Sequence, residues 1–468
     1  MRYISTRGSA PDLDFADAML TGLARDGGLY VPESWPQFSA DDIKALAGLD
    51  YAEVAYRVTR PFVGDAISDA TYRAIVEQTY TVFTHGAVAP LKQLAPNHWL
   101  MELFHGPTLA FKDYAMQLLG NLFNHVLAER GRRVTIVGAT SGDTGSAAIE
   151  ACRGRAAIDI FILFPDGRVS DVQRRQMTCV DDANVHAMAV DGTFDDCQAL
   201  LKDMFNDHAF RDEVDLSGVN SINWARILGQ IVYYFVAAAA LGAWERKIAF
   251  AVPTGNFGNI YAGYAARAMG LPISQLVLAT NANDILSRLL ATGTMSRGDV
   301  HPSLSPSMDI QVASNFERFL FDLYGRDGAR VAQQMAAFQD TGELALSDED
   351  QARTREVFAG FRLDDAGTLG QISSCYQATG ELLDPHSAIA VAGGAVLPGE
   401  ALGPMVSLAT AHPAKFPDAV SQATGIEPEL PDHLADLMDR RERINSLPND
   451  LATVQDFIRG RLAQKEEV

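Results

Sequence analysis

The residues best suited to chemistry lie in HGPTLAFKD, His105 to Asp113, where a lone lysine stands between an aromatic and an acid just after a Pro-Thr turn. A lysine forms a Schiff base with an aldehyde cofactor only when its ammonium can lose a proton, and a partly apolar, desolvated pocket favours that loss. Phe111 and the apolar run YAMQLLG behind Lys112 suit such a pocket. Most lysines are solvated surface charges, so Lys112 needs support from elsewhere in the chain.

Two segments supply it. In VTIVGATSGDTGSAAIEAC, Val134 to Cys152, a β-branched apolar run enters a loop rich in Gly, Ser and Thr and leaves as an alanine-rich helix. KIAFAVPTGNFGNIYAGYAARAMG, Lys247 to Gly270, repeats the order of strand, glycine loop and helix. Glycines let main-chain N–H groups and a positive helix end approach an anion closely. Two such loops fit a cofactor phosphate and a substrate carboxylate, although each alone is equally an ordinary tight turn of an α/β sheet.

These segments resemble a known family. HGPTLAFKD, ATSGDTGSAA, NSINWARI (Asn220 to Ile227), PTGNFGN (Pro253 to Asn259), PSMDI with SNFERFL (Pro306 to Leu320) and TAHPAKF (Thr410 to Phe416) look like threonine synthase, a pyridoxal-phosphate enzyme of the tryptophan-synthase-β fold type. The opening YISTRG, Tyr3 to Gly8, and DGGLYVPES, Asp26 to Ser34, match the amino-terminal pattern of the longer bacterial and fungal type. The matches run in order along nearly the whole chain.

The resemblance implies a set of roles. Lys112 would bind pyridoxal 5'-phosphate covalently and shuttle protons at the substrate carbons. Gly255, Asn256, Phe257, Gly258 and Asn259 would cradle the cofactor phosphate, and Thr410 would face the pyridine nitrogen with a neutral hydroxyl. Thr140, Ser141, Gly142 and Thr144 would hold the substrate α-carboxylate. Asp143 is electrostatically out of place in such a loop, so it should face away or cap the following helix.

The implied reaction converts O-phosphohomoserine and water to L-threonine and phosphate by β,γ-elimination and addition of water at Cβ. It needs a third anion site for the departing phosphate. Asn223 and Arg226 are candidates, because a guanidinium fork suits phosphate; the alternative is a helix-surface arginine paired with a carboxylate. His105 either assists proton transfer or phosphate binding, or simply holds the turn before Gly-Pro. Asp113 should orient or cap the next helix.

Three rival functions share parts of this pattern. A serine or threonine ammonia-lyase of the same fold type would have the lysine and the loops without a γ-phosphate site. A nicotinamide dehydrogenase is disfavoured, because neither loop reads G-x-G-x-x-G with an acid at dinucleotide distance. A catalytically silent amino-acid-binding protein on the same scaffold would have little need of Lys112.

The surrounding elements must position these residues. At 468 residues the chain exceeds one growing core. Residues 1–95 read as a helical subdomain, with segments such as SADDIKALAGL and DATYRAIVEQTYTVF. Residues 96–468 read as the catalytic α/β region in two subdomains. Its strands include HWLMELF, VTIVGAT, IDIFILFP, ANVHAMAV, KIAFAV and QLVLATNA. The fold class is α/β: two open, mainly parallel sheets with helical crossovers, holding the cofactor between them as the resemblance implies. Solvent-facing helices are expected as an insertion near 309–363. PMVSLAT, Pro404 to Thr410, is expected to be the last strand, ahead of a helical carboxy-terminal tail.

Composition bounds the partners. With 38 basic and 59 acidic residues the net charge is −21, which disfavours nucleic acid and anionic membrane and leaves a small-molecule substrate. Cys152, Cys179, Cys197 and Cys375 show no metal or redox spacing and read as structural thiols in a reducing compartment; no metal site is expected. No apolar signal core opens the chain, and IVYYFVAAAALGAW, Ile231 to Trp244, reads as a buried helix too short to span a membrane. A cytoplasmic protein, monomeric or weakly dimeric, is expected.

Overall fold

The computed structural model describes residues 1–219, 221–396 and 403–466. Asn220, the first residue of NSINWARI, lies outside the described residues. The chain forms two compact units, one of Met1–Ala115 with Ser221–Pro428 and one of Met116–Asn220 with Glu429–Val468. This division falls elsewhere than at residue 95. The reason is packing: the helix Tyr51–Val63 lies against the helix Trp224–Ala240, and Tyr3 and Phe62 meet Trp224 ring to ring at 5.9 and 5.8 Å.

The first unit opens with a short antiparallel pair, β1 (Tyr3–Ser5) and β2 (Tyr30–Pro32). The helical segments read from the sequence form with side-chain caps. Ser39 starts Ala40–Lys44 in a capping box with Asp42, and Ser68 caps Asp69–Tyr80. The expected buried helix is Trp224–Ala240, apolar all round and buried along nearly its whole length. Among the described residues no helix is long and apolar enough to cross a membrane.

The main sheet of this unit has six strands. In chain order they are β3 (Leu91–Ala95), β4 (His98–Glu102), β9 (Ile248–Pro253), β10 (Ile273–Thr280), β13 (Phe358–Arg362) and β14 (Met405–Ala409). Their spatial order is β13-β10-β9-β14-β4-β3, and only β3 runs antiparallel. β9 and β14 are buried throughout, which is why β9 reads as an unbroken apolar run and β14 as one broken only by the buried Ser407. Because β4, β14, β9 and β10 are adjacent and parallel, their carboxyl ends share one edge of the sheet. The chain leaving that edge carries Lys112 after β4, Thr410 after β14, the glycine loop after β9 and Ser307 beyond β10. This edge is where open α/β sheets hold ligands.

In the stretch 309–363 the helices Gly328–Thr341 and Asp348–Arg355 are largely exposed, as expected, but other elements depart from that reading. β13 joins the main sheet in parallel register with β10, Leu276 opposite Phe358. A small antiparallel pair also forms, of β11 (Thr294–Ser296) with β12 (Glu343–Ala345). The helix Phe316–Leu323 is buried on nearly all sides, charged residues included. Its charges mislead because their partners lie about 300 residues away in sequence: Glu317 pairs with Arg7 at 2.9 Å and accepts from the Thr6 hydroxyl at 2.6 Å.

The second unit is a five-stranded, wholly parallel sheet of β5 (Val134–Ala139), β6 (Ile158–Pro165), β7 (Val185–Asp191), β8 (Leu216–Ser217) and β15 (Asn445–Pro448), ordered β15-β7-β6-β5-β8. Phe161, Leu163, Met188, Val190, Leu200 and Met204 fill its core, together with Val454 and Ile458 from the closing helix Leu451–Glu466. The last strand is therefore β15 and not β14. A four-residue, half-exposed edge strand ending in proline carries little pattern to read. Burial pushes the Cys152 and Cys197 thiols up to about 12, which keeps them protonated and unreactive at neutral pH.

Candidate active site

Lys112 is the first residue of the helix Lys112–Glu129 and is only 8 % exposed. Its position is set by the turn before it. Asp113 accepts hydrogen bonds from the Thr108 N–H at 2.8 Å and the Thr108 hydroxyl at 2.6 Å, so it clamps the Pro107–Thr108 turn and orients the helix start. Lys415, fully buried, donates from Nζ to the Thr108 carbonyl at 2.7 Å. Leu109 takes a left-handed φ of 62°. The segment is also stitched to the end of β14: the Phe111 N–H donates to the Thr410 carbonyl at 2.9 Å, and the His412 N–H to the Leu109 carbonyl at 3.0 Å. Lys112 Nζ then lies 5.3 Å from the Phe111 ring centroid and donates to Ser307 Oγ at 3.3 Å.

Ser307 also borders the glycine loop. A Cβ on Gly255 would stand 2.5 Å from the Ser307 carbonyl oxygen, so this position needs glycine for close approach. Phe257 holds a left-handed φ of 62° as the residue before the helix Gly258–Ala268, with its ring packed on Phe316 at 5.2 Å and Phe358 at 5.4 Å. Such a conformation in an aromatic residue is costly and persists only where packing dictates it. The Asn256 carbonyl accepts from the Asn315 N–H at 3.2 Å and its side-chain amide at 3.0 Å, and Asn256 Oδ1 accepts from Ser314. Asn259 Oδ1 accepts from the Tyr233 and Tyr234 hydroxyls at 2.6 and 3.0 Å, which leaves its buried Nδ2 without a protein partner.

That orphaned donor is a test of cofactor fit. The helix Gly258–Ala268 has no side-chain cap, so its first N–H groups and Asn259 Nδ2 form a donor set matched to a phosphate. A buried amine in the same unit suits an aldehyde. Both ends of a phosphorylated pyridoxal therefore have fitting groups. Gly255→Ala is expected to push Ser307 aside and weaken cofactor binding by about 1–3 kcal/mol. Titration of the apoenzyme with cofactor measures it, and an unchanged affinity would show that the close approach does not matter.

In the second unit, the Thr140 hydroxyl accepts from the Gly142 and Gly145 N–H groups at 3.0 and 2.9 Å and so braces its own loop. Gly142 has φ 132° and no space for a Cβ, which would meet Gln173 at 2.4 Å. Ser141 and Thr144 are half-buried at the start of the helix Asp143–Cys152. Asp143 does not cap that helix. The cap position is Gly142, and the Asp143 carboxylate is buried and accepts from Gln173 Nε2 at 2.9 Å.

The remaining candidates are distributed in the first unit. Asn223 caps the helix Trp224–Ala240, accepting from the Ala225 N–H at 3.0 Å and donating to the Met19 carbonyl at 2.7 Å, so both ends of its amide serve the fold. Arg226 is buried and not a helix-surface residue; burial pulls its guanidinium down to about 10, which still leaves it a cation at neutral pH. His105 Nε2 meets Glu102 at 2.7 Å, and its ring packs 4.9 Å from that of His85. Thr410 is buried, and its N–H donates to Ser387 Oγ at 3.0 Å. Ser307 and Lys415 stand inside PSMDI and TAHPAKF, where nothing in the local pattern marks either side chain for a task. Asp384 and His386 were not singled out, although an acid directly before a proline that opens a helix marks a cap.

Comparison with known proteins shows the family and the cofactor. The family model described as "Pyridoxal-phosphate dependent enzyme" matches residues 84–348. The chain is thus a pyridoxal-phosphate-dependent enzyme. "Threonine synthase N terminus" matches residues 2–80, and "Threonine synthase, C-terminal" matches 387–458. A threonine synthase of Pseudomonas aeruginosa is 57% identical over 459 residues, covering 98% of either chain. The crystal structure of threonine synthase from Brucella melitensis with bound PLP has a TM-score of 0.96 at 55% identity, covering 98% of this chain and 99% of that one. The yeast enzyme gives 0.93 at 36% identity, covering 99% of each. The chain belongs to the threonine synthase family, and its cofactor is pyridoxal phosphate.

Proposed function

We propose that this enzyme converts O-phosphohomoserine and water to L-threonine and inorganic phosphate. The observation that carries the reading is the sharing of Ser307: one residue touches both the buried Lys112 amine and the tightest point of the Gly255 loop. When bound, the cofactor supplies an electron sink for charge developing on the substrate carbons. Lys112 holds it covalently and moves protons at Cα and Cβ. Gly255, Asn256, Phe257, Gly258 and Asn259 take its phosphate, with Asn259 Nδ2 as the side-chain donor. Thr410 presents its hydroxyl to the pyridine nitrogen.

Substrate groups fall to other residues. Gly142 and the half-buried Ser141 and Thr144, braced by Thr140, take the α-carboxylate at an uncapped helix start. Arg226, a buried cation, is assigned to the departing phosphate, with Asn223 orienting the helix that carries it. His105, paired with Glu102, is assigned to the same phosphate or to proton transfer. The helical segments of 1–95 are read as a layer supporting this centre, and 96–468 as the catalytic region. A cytoplasmic monomer or weak homodimer is proposed, and the net charge of −21 disfavours nucleic acid and anionic membrane as partners.

The test is phosphate release from O-phosphohomoserine, with and without added cofactor, run beside oxoacid formation from serine and threonine. Cofactor-dependent phosphate release is expected. Oxoacid formation without phosphate release would overturn the reading in favour of an ammonia-lyase.

A further inference from the structure

The helix Pro385–Val396 begins behind a fully buried carboxylate, Asp384. Capping a helix needs only bonds from that carboxylate to backbone N–H groups, and Asp384 makes them to His386 at 2.9 Å and Ser387 at 3.0 Å. It also does something capping does not require. Its two oxygens accept from the His386 ring at Nδ1, 2.7 Å, and from the Ser387 hydroxyl.

Two arms leave these side chains and end beside Lys112. On the first, His386 Nε2 accepts from the Ser307 N–H at 3.3 Å, and Ser307 Oγ accepts from Lys112 Nζ at 3.3 Å. An Nε2 that accepts places the ring proton on Nδ1, where it is donated to Asp384. On the second, Ser387 Oγ accepts from the Thr410 N–H at 3.0 Å, and the Thr410 carbonyl accepts from the N–H of Phe111, the residue before the lysine. The Phe416 ring packs 4.9 Å from the His386 ring and limits its movement.

We propose that Asp384 is a positioning residue for the chemistry at Lys112: it fixes the His386 proton on Nδ1, so that Nε2 holds Ser307 at the lysine amine, and through Ser387 it holds Thr410. The proposal rests on the assignment of Lys112 and Thr410 made above. Neither His386 nor Asp384 touches the reacting atoms; both act through Ser307 and Thr410. A fixed orienting partner behind a functional histidine is a recurrent way to set its tautomer.

Asp384→Asn, Ser307→Ala and the double variant test it. In Asp384→Asn an amide oxygen at the Oδ1 place keeps the Ser387 N–H and so half the cap, while an amide N–H at the Oδ2 place, facing Nδ1, drives the ring proton to Nε2, donor against donor with the Ser307 N–H. A drop in kcat of about a hundredfold with KM steady within about twofold is expected, the cost of misplacing a reacting group by about 1 Å. Ser307→Ala should lose a similar factor, and the double variant no more than Asp384→Asn alone, because both cut the same arm. The cofactor absorption maximum should shift in Asp384→Asn, where a neutral amide oxygen holds the Ser387 hydroxyl more weakly than a carboxylate does and so slackens the Thr410 arm, and stay in place in Ser307→Ala. Losses that multiply in the double variant, or an unmoved absorption band in Asp384→Asn, would overturn the proposal. Should Asp384→Asn fail to fold, an undiminished kcat in Ser307→Ala would do so by itself. If the wild type holds cofactor yet releases no phosphate, the substrate reading fails, and the absorption comparison still decides the role of Asp384.

Discussion

Lys112→Ala is expected to abolish covalent attachment of the cofactor and to cut phosphate release from O-phosphohomoserine by about 10⁴-fold, the combined loss of a covalent anchor and of a general acid–base. Little stability should go with it, less than about 1 kcal/mol, because truncation removes an amine that is costly to bury. Lys415→Ala is the contrasting case. Lys415 is as deeply buried, but its Nζ holds the Thr108 carbonyl and so the turn in front of Lys112. Its removal should destabilise by about 1–3 kcal/mol, the penalty for a buried acceptor left unmet, while cofactor attachment persists. Absorption spectra, phosphate assays and urea unfolding of the two variants separate a chemical lysine from a structural one.

Arg318→Met should be among the most destabilising single changes in the first unit. The guanidinium is fully buried, and burial pulls it down to about 10, so it remains charged at neutral pH. Nε and Nη2 donate to the Tyr30 carbonyl at 3.1 and 3.0 Å, Nη2 also reaches the Ile222 carbonyl, and Nη1 reaches Asn315 Oδ1. Methionine fills much of the space but satisfies none of these acceptors, so a loss of about 3–5 kcal/mol is expected. The effect should extend to the cofactor. Asn315, held by Arg318, in turn holds the Asn256 carbonyl of the glycine loop, so weaker cofactor binding should accompany the lower urea midpoint. A normal midpoint with normal binding would show that the guanidinium is not a structural node.

The same helix shows where sequence reading stops. SNFERFL and YISTRG were both recognised as motifs, yet nothing in their local pattern says that Glu317 takes Arg7 and Thr6, or that Arg318 takes the backbone at Tyr30. Charges at helical spacing look solvated until a segment from the other end of the chain covers them. The parallel strands were legible for the opposite reason. IAFAVP and IDIFILFP are buried throughout and announce themselves by composition alone. β13, at FAGFR, alternates between buried and exposed at the edge of its sheet and was lost in a helical stretch.

The site was legible as far as its glycines and its lysine. The Gly255 loop and Lys112 stand out as candidates because few residue types allow a close backbone approach or a Schiff base. Of the two readings of Asp143, facing away or capping, the cap fails, because Gly142 occupies the cap and Gln173 reaches the acid from a helix 30 residues on. Ser307 and Asp384 were invisible as participants. Their importance lies in which side chains they meet across the sheet edge, and a serine or aspartate in a loop carries no periodic signal of that.

The central claim is that Lys112 is the amine that binds the cofactor. Borohydride reduction of the holoenzyme, proteolysis and mass spectrometry of the peptides test it directly. A phosphopyridoxyl group confined to the peptide bearing Lys112 is predicted; the same group on Lys415, the other buried lysine among the described residues, would contradict it.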